Sequence, residues 1–170
     1  TVRRVTTAPL LVEVTRGEHV ESSHVIDAVI ATADGTVLES WGDPDRLVLP
    51  RSSVKPVQAL PLVTTGAADA FGLGAVELAL SCASHDGEPD HVAAVSAWLA
   101  RIGCSVDDLA FGVHAPLGGS AASALVASGD PPSAVHNNCS GKHVGFLTVC
   151  RHLDLATDGY LSVEHPLQRD

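Results

Sequence analysis

The chain has 170 residues, 45% of them apolar and 18% charged, which is too apolar for intrinsic disorder and too interrupted by charge for a membrane span. Twenty acidic against ten basic side chains give a formal net charge of −10. With no clustered basic patch, this excludes nucleic acid as the expected partner. A chain of this length buries roughly 70% of its unfolded surface and is expected to form a single globular domain over residues 1–170.

From Pro9 onward the apolar residues fall in short β-branched runs, which predicts strands at Leu10 to Thr15, His24 to Thr32 and Thr36 to Trp41. The last two are joined across Ala33-Asp34-Gly35, where Asp-Gly supplies the positive φ of a tight hairpin turn. After Pro50 the apolar period lengthens to three and four. It predicts helices at Ser53 to Val63, Ala75 to Ala83, Pro89 to Ile102, Gly119 to Ala127 and Ser140 to Leu153. Strands followed by a run of helices make the fold class α+β, an antiparallel sheet with flanking helices. The segment from Ser128 to Ser133 reads as a loop between helices. His165 to Asp170 reads as the start of an element with no partner, so the chain is expected to stop in mid-domain.

The four cysteines, Cys82, Cys104, Cys139 and Cys150, contain no CxxC pair, which suits reduced thiols in a cytoplasmic protein. The apolar stretch after Arg3 and Arg4 is broken by Pro9, Glu13 and Arg16, so no export signal is expected there. Methionine is absent, which leaves open whether an initiator was removed or the numbering starts inside a longer chain.

Three segments carry residues suited to chemistry. In Arg51-Ser52-Ser53-Val54-Lys55-Pro56, a serine and a lysine three apart share a helix face, so Lys55 can reach the Ser52 hydroxyl while Ser53 points elsewhere. A lysine acts as a base only when neutral, which burial and nearby positive charge favour. Arg51 and the positive end of the following helix are candidates for that charge. The same residues would also suit a serine-capped helix with a solvated lysine. Only two of the ten basic residues are lysines, Lys55 and Lys142, and lysine does what guanidinium cannot, which is to lose a proton or donate a lone pair.

The second segment runs from His136-Asn137-Asn138-Cys139 to Ser140-Gly141-Lys142-His143. It shares only Gly-Lys with a phosphate-binding loop, so a nucleotide P-loop is rejected. Cys139, Lys142 and the two histidines could offer a few metal ligands, or the segment could be a polar loop with a half-buried cysteine at a helix start. In the third, Ser81-Cys82-Ala83-Ser84-His85-Asp86-Gly87-Glu88-Pro89-Asp90-His91, the residues His85, Asp86, Glu88, Asp90 and His91 could be read as metal ligands, but their spacing matches no known motif and the acidic residues also suit a helix N-terminus. The two serines and a histidine suit a second hydroxyl relay at a helix end. His19, His114 and His152 have no arguable partner and read as structural.

Taken together and in this order, the three segments resemble the rhizobial-type (class 3) L-asparaginases, the asparaginase II family. The resemblance implies a fold similar to serine β-lactamases, penicillin-binding proteins and serine glutaminases. It implies Ser52 as nucleophile, Lys55 as its base, Ser84 as second catalytic serine, and Cys139 with Lys142 as zinc ligands. Arg51, His85 and His143 are the expected substrate contacts. Family chains are about twice as long, so the resemblance makes this one the N-terminal half of a longer catalytic domain, whose further cysteine ligand and second lysine lie downstream. The implied activity is hydrolysis of L-asparagine, a small-molecule substrate, in a homodimer with zinc that orients substrate. A serine glutaminase, a penicillin-recognising acyl transferase and a non-catalytic zinc- or ligand-binding module are the alternatives.

Overall fold

The structure is a computed structural model that describes residues 4–6 and 8–169. These group into two compact units, one up to Leu49 and one from Pro50 onward. The first contains every strand. β1 (Arg4–Thr6) runs parallel to β5 (Val37–Trp41), which pairs on its other edge with antiparallel β4 (Ala28–Ala31). β2 (Leu10–Arg16) and β3 (His19–Ile26) form a separate antiparallel hairpin.

The Asp34-Gly35 turn forms as the sequence predicts. Gly35 has φ +83°, and the Asp34 carboxylate accepts from the Thr36 N–H at 3.0 Å and from the Thr32 hydroxyl. These hydrogen bonds hold the Asp34 carboxyl below its ordinary range. Two expectations need correction. The strand predicted over His24 to Thr32 is broken at Asp27, whose carboxylate accepts from the Asp43 N–H at 3.0 Å and pairs with Arg46 at 2.9 Å. The chain therefore leaves one sheet and enters the other at Asp27. The sheet is also not wholly antiparallel, because β1 adds a parallel pair.

The second unit is helical: α1 (Lys55–Gln58), α2 (Leu60–Thr64), α3 (Ala67–Ala70), α4 (Ala75–Cys82), α5 (Pro89–Arg101), α6 (Gly119–Ser128) and α7 (Ser140–His152). Four of these lie where the apolar period predicts them, within a residue or two. The continuous helix predicted from Ser53 to Val63 is instead a 3-10 turn (Arg51–Val54) followed by α1 and α2. Proline explains the breaks. Pro61 has no N–H and its ring collides with the carbonyl four residues back, so the helix restarts at Leu60 with Pro61 in its first turn, and Pro56 does the same for α1.

α7 is the centre of this unit. From Ser140 to Cys150 every residue except Lys142 is buried, so the segment is covered on all sides. Val144 and Leu147 pack in one cluster with Leu62 of α2, Ala67 of α3, Leu80 of α4, and Val95, Trp98 and Leu99 of α5. Gly145 lets Leu62 approach, since a Cβ there would lie 2.9 Å from the Leu62 Cδ1. This packing fixes where α7 begins, and the residues at that end face the serines.

Candidate active site

Ser52 lies in the 3-10 turn and Lys55 at its end. In that geometry residues three apart eclipse, so the two share a side even without a regular α-helix. Ser53 turns away, its hydroxyl donating to the Pro50 carbonyl. Its main-chain N–H is also taken by that carbonyl, at 3.1 Å, so it is not free to serve an oxyanion. Arg51 has φ +49°, a left-handed conformation that costs a non-glycine residue on the order of 1–2 kcal/mol. Such strain tends to gather at functional sites.

Lys55 is only 2% exposed. Its Nζ donates to the Ser84 Oγ at 2.9 Å, the Ala83 carbonyl at 3.0 Å and the Asn138 carbonyl at 3.4 Å. Ser84 Oγ in turn lies 3.1 Å from Ser52 Oγ. The amine is therefore connected to Ser52 through Ser84. Three chain segments meet at this point: the turn before α1, the end of α4 and the start of α7. Two main-chain carbonyls hold the amine in place, and sequence reading missed both because a backbone ligand has no residue-type signature.

An open cleft of about 310 Å³ is lined by Arg51, Ser52, Val54, Lys55, Gln58, Cys139 and Lys142. Its charged lining residues are all basic: Arg51, Lys55 and Lys142. Burial pulls the Lys142 amine below its ordinary range; the Cys139 thiol opposes this and Lys55 adds to it. Lys142 also sits over the Phe146 ring, 5.6 Å from its centroid.

The other expected contacts lie deeper. His85 is 5% exposed; its Nδ1 accepts from the Gly87 N–H at 3.1 Å, so its Nε2 carries the proton and donates to Ser140 Oγ at 2.7 Å. The Ser140 hydroxyl in turn donates a hydrogen bond to the Val135 carbonyl at 3.2 Å. In this pair the imidazole is the donor and not the base. Burial, then the charges of His91 and Lys55, bring the His85 pKa down to about 4. His143 is 6% exposed, stacked on Phe111 with ring centroids 4.1 Å apart, and its Nδ1 is 3.0 Å from the Tyr160 hydroxyl. Burial, followed by Lys142 and Lys55, brings its pKa down to about 3. Neither histidine lines the cleft.

The family model described as L-asparaginase II matches residues 12–170. The chain belongs to the asparaginase II family. A comparison with curated proteins gives no match. The family match covers all three segments that carry the site. Zinc, which the resemblance implies, has a partial donor set. Cys139 and Lys142 both line the cleft, but among the described residues no three His, Cys, Asp or Glu side chains group to hold a metal. Two donors fall short of the four that a tetrahedral zinc takes. Cys139 and Lys142 would thus supply only part of a donor set, and no step below runs through zinc. All four cysteines are free thiols, and among the described residues no helix is long and apolar enough to cross a membrane.

Proposed function

We propose that this family member hydrolyses L-asparagine to aspartate and ammonia by acyl transfer, in a fold of the serine β-lactamase and glutaminase kind. The observation that carries the reading is the hydrogen-bonded line from Ser52 Oγ through Ser84 Oγ to Lys55 Nζ. Ser52 is the nucleophile. As its oxygen bonds to the side-chain amide carbon, its proton passes to Ser84 and the Ser84 proton passes to Lys55. The amine donates to all three partners, Ser84 among them; to act as base it gives up the N–H that faces Ser84 and keeps its other two on the Ala83 and Asn138 carbonyls. Collapse of the tetrahedral intermediate breaks the C–N bond, and ammonia leaves with the proton returned along the same line. Water then cleaves the acyl-serine ester to aspartate.

The basic cleft supports a substrate with a carboxylate, since Arg51 and Lys142 line it beside Ser52. Their positive field also stabilises the negative charge that develops on the amide oxygen, where one well-placed donor is worth on the order of 3 kcal/mol. In this reading His85 and His143 act by holding the site's frame. The activity is assigned to a cytoplasmic homodimer by family likeness. The deciding experiment is Ser52→Ala in the full chain, assayed for ammonia from L-asparagine. Loss of turnover is expected, and near wild-type turnover would rule out Ser52 as nucleophile. Parallel assays with L-glutamine and a chromogenic β-lactam separate the asparaginase from the rival acyl transferases.

A further inference from the structure

Of the groups around Lys55, the Asn138 carbonyl is the farthest, at 3.4 Å. It lies near the limit of hydrogen bonding, so a shift of a few tenths of an ångström decides whether it holds the amine. The position of the Asn138 main chain is therefore a control point. It is tied from outside α7 by the irregular segment before α6. The Asn138 N–H donates to His114 Nε2 at 3.3 Å, and His114 Nδ1 lies 2.6 Å from the Ala115 carbonyl. The Ala115 carbonyl calls for a proton on Nδ1; in the neutral ring Nε2 is then the acceptor for the Asn138 N–H, with the Asn138 Oδ1 also 3.3 Å from it. The neighbouring Asn137 is tied to the same segment, with its side-chain amide donating to the Gly112 carbonyl at 2.7 Å and its Oδ1 accepting from the Cys139 N–H at 2.9 Å.

We propose that His114 is a positioning residue for the Lys55 amine, acting through the Asn138 main chain. The inference rests on the Ser52–Ser84–Lys55 reading above, but not on which amide is the substrate. His114 does not line the cleft. It holds the Asn138 N–H, on the opposite side of the Asn138 Cα from the carbonyl that accepts from both the Lys55 amine and the His85 main-chain N–H, the latter at 3.1 Å. A carbonyl that drifts away leaves the amine free to turn from Ser84, and the proton line to Ser52 opens.

The chemistry of the tie gives a selective test. Glutamine places its amide oxygen where Nε2 of histidine sits and can accept from the Asn138 N–H; asparagine is too short, and alanine has no acceptor. The full chain is prepared as wild type, His114→Ala, His114→Asn and His114→Gln, with folding checked by thermal melting. Two rates are read: ammonia release from L-asparagine, and acylation of Ser52 by p-nitrophenyl acetate followed by intact mass. His114→Ala and His114→Asn are expected to slow both by about 100-fold, the usual size of a misplaced catalytic group, with KM within about twofold of wild type. His114→Gln is expected to restore most of the rate. If Ala does not fold, the Asn and Gln pair decides the matter. Equal rates in Asn and Gln, or a wild-type rate in Ala or Asn, overturns the proposal. No hydrolysis of asparagine by the wild type, with Ser52 still acylated in the His114-dependent way, would sink the asparaginase reading and leave this one standing. A wild-type Ser52 that is never acylated overturns it.

Discussion

Gly141, at the start of α7, sits directly against the main chain of Leu80 in α4: a Cβ on Gly141 would lie 2.4 Å from the Leu80 carbonyl oxygen and 2.8 Å from its Cβ. Backbone cannot yield as a flexible side chain does. The same approach sets the distance between the end of α4, which leads to Ser84, and the start of α7, which leads from Asn138 and Cys139. Gly141→Ala is therefore expected to push the two helices apart, costing about 1–3 kcal/mol of stability as overpacking does. Urea unfolding of the purified chain measures that cost, and unchanged stability would show that the helices can part freely. Activity is expected to fall as well, because the Lys55 acceptors come from both sides of this contact.

Ser84 is the only bridge between Ser52 and Lys55 among the described hydrogen bonds. Removing its hydroxyl leaves the amine two carbonyl partners and no contact with the nucleophile. Ser84→Ala is expected to lower kcat by roughly 100- to 10,000-fold, the range of a lost general-acid or general-base group. It should leave stability nearly unchanged, since the residue is exposed. The double variant Ser52→Ala/Ser84→Ala should be no slower than Ser52→Ala alone, because both residues serve one proton path. Additive losses in that cycle would show that they act independently.

Lys55→Arg keeps a positive charge but cannot release its proton near neutral pH. Lys55 is 2% exposed and its amine is held by three close acceptors, so the larger guanidinium fork also strains the site. Turnover should drop to the level of Ser52→Ala. A destabilisation of about 1–3 kcal/mol is expected from the added volume. Activity within an order of magnitude of wild type would remove Lys55 from the role of base, since guanidinium cannot fill it.

Much of this site was legible in the sequence, for identifiable reasons. Ser52 and Lys55 stand out because the three-residue spacing and the scarcity of lysine are properties of the letters themselves. α5 and α7 were legible from apolar period and from Pro89 at a helix start. The break between α1 and α2 was missed although its cause, Pro61, is plain in the sequence, because the apolar period continues across it. The turn at Asp27 was hidden by a β-branched run that continues from His24 to Thr32; only the long-range partners Asp43 and Arg46 reveal why the chain bends there. The partners of His114 could not be read from the sequence, because the Asn138 N–H and side-chain Oδ1 belong to a segment 24 residues away.

The two buried imidazoles make stability depend on pH in a known direction. In the folded chain the pKa of His85 is about 4 and that of His143 about 3, against about 6.5 for histidine in an unfolded chain. Above 6.5 both states hold neutral rings and neither group favours unfolding. As pH falls below 6.5 the unfolded chain takes up protons that the folded chain refuses. Each group then removes about 1.4 kcal/mol of stability per pH unit, His85 down to about pH 4 and His143 down to about pH 3. Urea unfolding at pH 7.5, 6.5, 5.5 and 4.5 should give flat stability over the first interval and a steep loss over the next two, with carboxylate titration adding at the acid end. His143→Gln keeps a polar partner for the Tyr160 hydroxyl and should remove about half of the histidine-linked slope between pH 6 and 5. An unchanged slope in that variant would mean that His143 takes up its proton in the folded chain as readily as in the unfolded one, and that its place against Phe111 and Tyr160 does not keep it neutral.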